Sequence, residues 1–195
     1  MQAINDAIPL MQTWRRIMRK MIGKKVAIGA ILLGIGICLF LYGFGLVKVG
    51  DKSAGNVDLP QSVRERIEKE CKVAEPEACA VYGMKLTCEL LSFSKKNDIG
   101  AGVANCVGYA QLCSAVCNYA LEKNGMRNRA KPVVGYVTFC GLNLCKLLKS
   151  VVPEKYKNFV KDHDFVEIDL GERVRYFDAS LYDYGIDCTT NCKKD

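Results

Sequence analysis

The sequence of 195 residues contains one histidine, His163, no Cys-x-x-Cys pair and no internal repeat. With a single imidazole, acid-base chemistry near neutral pH has one side chain whose ordinary pKa suits it, so any such role falls to His163. The missing Cys-x-x-Cys pair disfavours a thiol-disulfide oxidoreductase. The length and the lack of repeats or low-complexity segments predict one ordinary domain with a short appendage.

Charged residues are absent from residues 26–47, VAIGAILLGIGICLFLYGFGLV. In a helix with a rise of about 1.5 Å per residue, these 22 residues cover the roughly 30 Å of a membrane's hydrocarbon core. A buried core helix would carry a polar stripe, and a cleaved signal peptide would have a shorter apolar run of about 7 to 15 residues. We therefore expect a transmembrane helix at 26–47, in contact with membrane lipid. No two of its glycines are four residues apart, so the close-packing dimerisation motif is missing and the oligomeric state stays open.

Basic residues are concentrated before this apolar run. Six of the 28 lysines and arginines and one of the 21 acidic residues lie in residues 1–47, which gives this segment +5 of the net charge of +7. The positive-inside rule then predicts a cytoplasmic segment at 1–25 and a domain outside the cytoplasm, periplasmic or extracellular, after residue 47. Anionic lipid at the inner leaflet accounts for the basic cluster. The outer part has no basic stripe with interleaved aromatic residues, so nucleic-acid binding is not expected.

Helical patterns are followed by strand patterns after a predicted linker at 48–59, within a predicted domain at 60–195. Three helices are predicted, each with a proline or an asparagine at its start: 60–72, 76–93 and 105–124. Gly125 is expected to close the third one. Three strands rich in β-branched and aromatic residues follow, with a mixed insertion at 140–160 between the first and the second: 132–139, 163–170 and 173–179. The expected fold class is α+β, with helices packed on an antiparallel sheet.

The last two strands form a predicted hairpin. Gly171 and Glu172 can make its two-residue turn, with glycine at the first central position as a type II′ turn requires. In this register His163 and Asp178 lie on one sheet face as diagonal neighbours, about 7–8 Å apart at the backbone. A slip of one residue would separate them, and Asp178 would then only end a strand. The opposite face, expected to pack on the helices, carries three aliphatic residues: Val166, Ile168 and Leu170.

Cysteine is abundant, with eleven residues in the chain and ten of them after the apolar run. In an outward-facing domain most are expected to pair as disulfides. Cys106 differs because it follows Asn105, a good N-cap, and should lie in the first turn of a helix. There the unpaired N–H groups and the helix dipole favour the thiolate. Without Cys106, nine cysteines remain after the apolar run, and an odd number cannot all pair.

The other cysteines have structural interpretations. Three close pairs have three or four intervening residues, whereas most four-cysteine zinc sites have two: 113/117, 140/145 and 188/192. We therefore expect neither a metal nor another cofactor. The pairs 140/145 and 188/192 can form short-loop disulfides, and Cys113 and Cys117 share a helical stripe with Cys106 as small core residues. Three further cysteines could pair only on folding: Cys71, Cys79 and Cys88.

The order of NCVGYAQL, HDFVEI and YFDAS resembles the transglutaminase-like superfamily over roughly residues 75–185. Members of this papain-like class have a Cys-Gly-Tyr-Ala type motif that opens a helix, a strand that begins His-x-aromatic, and a neighbouring strand that ends at Asp. The resemblance, which is greatest to compact bacterial members, implies a catalytic triad of Cys106, His163 and Asp178. Phe165 stands where many members have tryptophan. No upstream oxyanion-hole side chain matches, which leaves the backbone N–H of Cys106 as the expected donor.

The expected function is that of a membrane-anchored cysteine enzyme acting on amide bonds of peptides, proteins or the cell envelope. Cys106 would attack the carbonyl, His163 would transfer the proton and Asp178 would hold the imidazole. Water as acceptor gives hydrolysis and an amine gives acyl transfer, and the sequence does not choose between them. The alternative is an inactive membrane-tethered binding or scaffold module, which the many cysteines and the missing oxyanion side chain favour.

Overall fold

A computed structural model describes residues 32–34, 36, 43–52, 55, 57–144, 146 and 162–193. All but the first four of these belong to one compact unit, Tyr42–Asp195. The first four are helical, while the predicted cytoplasmic segment at 1–25 and most of the predicted transmembrane helix lie outside the described residues. Within the described part of the chain, no helix is long and apolar enough to cross a membrane.

Eight strands are present in the described residues. In chain order they are β1 Phe44–Asp51, β2 Ser92–Phe93, β3 Val103–Ala104, β4 Ala130–Phe139, β5 Leu142–Asn143, β6 His163–Asp169, β7 Arg173–Phe177 and β8 Thr190–Lys193. Six of them form one antiparallel sheet in the order β1-β4-β6-β7-β8, with β5 paired to β4. The short strands β2 and β3 form a separate parallel pair.

The compact unit contains a 3₁₀ turn at Ile99–Ala101 and four α-helices whose bounds lie in its described residues. In chain order they are α1 Gln61–Glu70, α2 Pro76–Leu90, α3 Cys106–Lys123 and α4 Ala179–Asp183. The three predicted helices are confirmed, and Gly125 closes α3 with the left-handed φ of +71° that favours glycine. Helix α2 ends earlier than predicted because Ser92 and Phe93 pair with β3 instead. Helix α3 packs against α2 and across β6 and β4, so the fold is α+β with helices on an antiparallel sheet.

The β6–β7 hairpin has the predicted register. The N–H of Leu170 donates to the carbonyl of Arg173 at 2.9 Å, and the ladder continues to Val166 opposite Phe177. Gly171 has φ of +92°, as the first central position of a type II′ turn requires. The predicted second strand is two residues too long, because β7 ends at Phe177 and the following residues start α4.

The first strand corrects the predicted boundary of the transmembrane helix. Residues 44–47 were expected to end that helix, and 48–51 to begin a linker, but together they form β1, which pairs with β4 along its length. The backbones come close at Gly135, where a Cβ atom would collide with the carbonyl oxygen of Val47. Because the apolar run continues from the predicted span into β1 without a break, hydropathy alone does not mark where the strand begins.

The sheet is curled, so that its first and last strands approach each other. The N–H of Leu46 in β1 donates to the hydroxyl oxygen of Thr190 in β8 at 2.9 Å. One sheet face packs under the helices, and its aliphatic residues Val166 and Ile168 are fully buried there, as predicted. The other face packs on itself as a smaller cluster made of strand residues and one flanking cysteine: Leu46, Val133, Val137, Phe165, Tyr176 and Cys188.

Lysines from β1, from the end of β1 and from β4 neutralise two acidic residues of β6. Lys48 Nζ lies 2.8 Å from Glu167 Oε2, Lys131 Nζ lies 3.1 Å from Glu167 Oε1, and Lys52 pairs with Asp164. Both carboxylates are buried. A buried carboxylate without its partner is strongly destabilising, so these pairs tie β1 to the strand that begins at His163.

Candidate active site

Cys106 is placed by the first turn of α3. The side chain of Asn105 caps this helix, since its Oδ1 accepts from the N–H groups of Val107 at 3.0 Å and Gly108 at 3.4 Å. The cap therefore occupies two of the four unpaired donors at the helix start and does not take that of Cys106. The thiol thus lies at the positive end of an 18-residue helix, as its position after Asn105 predicted.

His163 is held as the first residue of β6. Its side chain is almost fully buried, and its ring centroid lies 6.5 Å from that of Phe165, which in turn contacts Tyr176 edge-on at 5.3 Å. Phe165 belongs to the smaller core cluster and is itself buried. The imidazole is therefore packed against the interior of the curled sheet and has little freedom to rotate.

Asp178 divides its carboxylate between two tasks. One oxygen, Oδ1, accepts from the N–H groups of Ser180 and Leu181, both at 3.0 Å, and from the Ser180 hydroxyl at 2.8 Å. The other oxygen, Oδ2, forms a hydrogen bond with Nε2 of His163. The first task caps α4 and the second orients the imidazole, so one buried side chain links the helix to the histidine.

The three residues lie close together. Nε2 of His163 is engaged by Asp178, and the Cys106 side chain lies close enough to the imidazole to interact with it. Burial opposes protonation of the imidazole, but the charge and hydrogen bond of Asp178, with a contribution from Cys106, raise the pKa of His163 to about 10. At neutral pH the ring is therefore an imidazolium, and His163 carries a positive charge near Cys106.

Two other thiols lie near Asp178. The Cys88 thiol donates to the carbonyl of Ala179 at 3.1 Å, and Cys188 belongs to the smaller core cluster that contains Phe165. Burial and the negative charge of nearby carboxylates raise the pKa of both thiols to about 12. They stay protonated at neutral pH and are therefore poor nucleophiles.

Sequence reasoning placed the three residues but missed two of their neighbours. Ser180, which holds Oδ1 of Asp178, is buried and follows directly in the YFDAS motif. Asn97 lies over the first turn of α3, since a Cβ atom on Gly108 would collide with its side-chain oxygen and with Ala104. The glycine two residues after Cys106 was the one sequence signal of this approach, because glycine permits close contact.

No group of three or more His, Cys, Asp or Glu side chains is arranged to hold a metal ion in the part of the chain that the structure describes. Comparison of the chain with family models, with curated proteins and with solved structures finds no match.

Proposed function

We propose that the domain is a transglutaminase-like cysteine enzyme of papain-like type, anchored to a membrane by residues 26–43 and acting on amide bonds. The observation that carries the proposal is the cluster of Cys106, His163 and Asp178, contributed by a helix start, a strand start and a helix cap, in which His163 is hydrogen-bonded to Asp178 and lies near Cys106. The position of the thiol at the positive end of a helix supports the same interpretation.

The array supports thiol acyl transfer in two halves. The Cys106 thiolate attacks the amide carbon, and the imidazolium of His163 donates its proton to the leaving amine, which leaves an acyl-thioester and a neutral imidazole. His163 then removes a proton from water or from a second amine as it attacks the thioester, and the thiolate returns. Asp178 keeps the ring in one orientation and stabilises its cation. Water as acceptor gives hydrolysis, and an amine gives a new amide.

The developing oxyanion needs hydrogen-bond donors near Cys106. The backbone N–H of Cys106 itself fits this role because the Asn105 cap leaves it alone. The side chain of Asn97 lies over the same turn with its oxygen next to Gly108, and we assign its amide N–H group as a second candidate donor. Replacing Asn97 with alanine should lower kcat by about 10²-fold if it serves as a donor, and leave kcat unchanged if it only packs there.

The principal test compares Cys106→Ala and Cys106→Ser with two controls, Cys88→Ala and Cys188→Ala. The substrate is a mixture of peptides with and without glutamine. We expect the rate at which ammonia or amine is released from it to fall at least about 10³-fold in both Cys106 variants. The control variants should keep activity, because those thiols are protonated at neutral pH. Unchanged turnover in Cys106→Ala would overturn the proposal.

A second candidate function is the inactive binding or scaffold module, and one observation favours it. Cys106 is only 8% exposed, and His163 and Asp178 are 4% and 1% exposed. Iodoacetamide distinguishes the two functions, since a working thiolate is alkylated rapidly at pH 6 whereas a protected thiol is not. If Cys106 reacts no faster than the buried Cys113 on α3, the scaffold function is preferred.

The proposed topology has its own test in Cys140, whose side chain is exposed. A maleimide that does not cross membranes should label Cys140 in intact cells if the domain lies outside the cytoplasm. Labelling that appears only after the cells are permeabilised would overturn this topology. The Cys140→Ser variant controls for reaction at other thiols.

A further inference from the structure

Two buried thiols lie near each other at the far end of the helical layer from the start of α3. Cys71 caps the end of α1, Cys79 is the fourth residue of α2, and their side chains are close enough to interact. Both side chains are buried in the larger core cluster. All nine cysteines among the described residues are free thiols in this structure, and the contact between these two joins separate helices.

The backbone around Cys71 is fixed before any bond forms. Its N–H donates to the carbonyl of Ile67 at 2.8 Å, and its own carbonyl accepts from the side chain of Asn124 at 2.9 Å. The same asparagine accepts from the N–H of Val73 at 3.3 Å, so it clamps the turn between the two helices from both sides. A thiol that is held in place by its backbone loses little further freedom on cross-linking.

Cys79 is fixed by its helix and by its neighbour on α3. It is completely buried, and its carbonyl lies 3.9 Å from the thiol of Cys117. The pair Cys113 and Cys117 also shares a side-chain hydrogen bond, but both residues lie on one turn of α3, so a bond between them would join no separate elements. Cys71 and Cys79 are therefore the pair of described thiols in mutual contact that can tie two helices together.

We propose that Cys71 and Cys79 form a disulfide that fastens α1 to α2 when the chain folds, or α1 opens locally, in the presence of a disulfide donor. The donor is a small-molecule or protein disulfide, such as glutathione disulfide. One cysteine thiolate attacks the donor and releases the first donor thiolate, and the second cysteine then displaces the remaining donor thiolate as the intramolecular bond forms. The two cysteines lose two protons and two electrons, and the donor disulfide is reduced to two thiols.

Cys71 and Cys79 undergo thiol-disulfide exchange slowly in the folded chain. Burial raises the pKa of Cys71, and it raises the pKa of Cys79 to about 12, so neither thiol ionises readily in the folded domain. The bond therefore forms during folding or in a locally opened α1, and once formed it is protected from reductants. Addition of the donor to an unfolded chain before refolding should give faster oxidation than addition to the folded chain.

Trypsin provides a direct readout, because Lys72 lies between the two cysteines. The full-length chain, purified in mild detergent and treated with glutathione disulfide, should yield residues 70–72 linked to residues 73–85, and the linked species should vanish on reduction. A refolded, oxidised sample in which both cysteines carry an alkyl label would overturn the proposal, as would Cys79 linked to Cys117. The same result is expected in Cys106→Ala, so this outcome and that of the proposed function are separable.

Thermal stability provides a second readout. Each protein is compared with itself, with and without reductant, so a loss of packing caused by the substitution does not affect the comparison. The melting temperature is compared with and without reductant for the wild type, Cys71→Ser, and Cys71→Ala with Cys79→Ala. A disulfide that closes this short loop should raise the wild-type Tm by about 5–10 °C in the oxidised state. Neither variant should show this difference. An equal redox-dependent shift in all three proteins would overturn the proposal.

Discussion

The two sides of the triad are built by different physical rules. Cys106 is positioned within its own helix, by an asparagine one residue before it. His163 and Asp178 are positioned by strand register and by a cap, and they depend on pairing across a sheet whose first strand begins more than a hundred residues earlier. The nucleophile side should therefore tolerate changes in the sheet better than the acid-base side does.

The largest effect should come from Asp178, where the acid-base side has two tasks in one carboxylate. Asp178→Asn keeps an oxygen for the cap of α4 but removes the charge that stabilises the imidazolium, so we expect kcat to fall by about 10³–10⁴-fold with little change in folding. Asp178→Ala removes both and should also lower stability by about 1–3 kcal/mol. Peptide turnover and chemical denaturation of both variants separate the two tasks. Equal stability of the two variants would show that the cap is unimportant.

The next effect is the pH dependence of stability due to His163. Its pKa is raised in the folded chain to about 10, so it keeps a proton that the unfolded chain releases near pH 6.5, and its contribution is complete below that pH and lost on the way to pH 10. In the Cys106→Ser variant, where no thiolate at this site can offset the proton that His163 takes up, the free energy of unfolding should fall by at most about 1.4 kcal/mol per pH unit between pH 6.5 and 8. Urea denaturation at several pH values measures the slope. His163→Gln should flatten it, and a slope that persists in this variant would assign the effect elsewhere.

A matched pair of glycines compares the two layers directly. In Gly135→Ala the new methyl group meets the rigid backbone of β1 at Val47, whereas in Gly83→Ala it meets mainly the side chain of Cys117 on α3. Both should destabilise the domain, by about 1–3 kcal/mol, and the sheet variant should lose more because backbone cannot turn aside. Adding Cys117→Ala should relieve the helical variant only. Relief of both in thermal melts would contradict this difference between the layers.

The smallest effect should come from Asn105, on the nucleophile side. Removal of its cap in Asn105→Ala should cost about 1 kcal/mol of stability, and Asn105→Asp or Asn105→Ser should restore most of it. Activity should fall only modestly, because the helix still starts at the same place. A loss of activity as large as that of Asp178→Asn would mean that the two sides of the triad are equally sensitive.

The parts of the fold that the sequence predicts are those with local signals. Asn105 and Gly125 mark the two ends of α3, and Gly171 sets the register that brings His163 beside Asp178. These features depend on the preferences of a few consecutive residues, so they can be inferred without tertiary contacts.

The parts that were missed depend on distant partners. Strand β1 continues an apolar run that resembles a membrane span, and its pairing with Gly135 has no local mark. The last strand, β8, carries the polar sequence Thr190–Lys193 and is held by β7 and by a side-chain bond to Leu46. The contact of Asn97 with Gly108 likewise appears only when the loop before α3 folds back over it.

Asp178 couples the stability of α4 to the protonation of His163, because one of its carboxylate oxygens caps the helix and the other contacts the imidazole. When the imidazole loses its proton, Asp178 loses its ionic partner, and the buried carboxylate that caps α4 becomes costly to keep. The amide hydrogens of Ser180 and Leu181 should then exchange with solvent faster. The increase should exceed the rise in the intrinsic, base-catalysed exchange rate with pH. A five-residue helix thereby reports, through two amide hydrogens, whether the chain's single imidazole is charged.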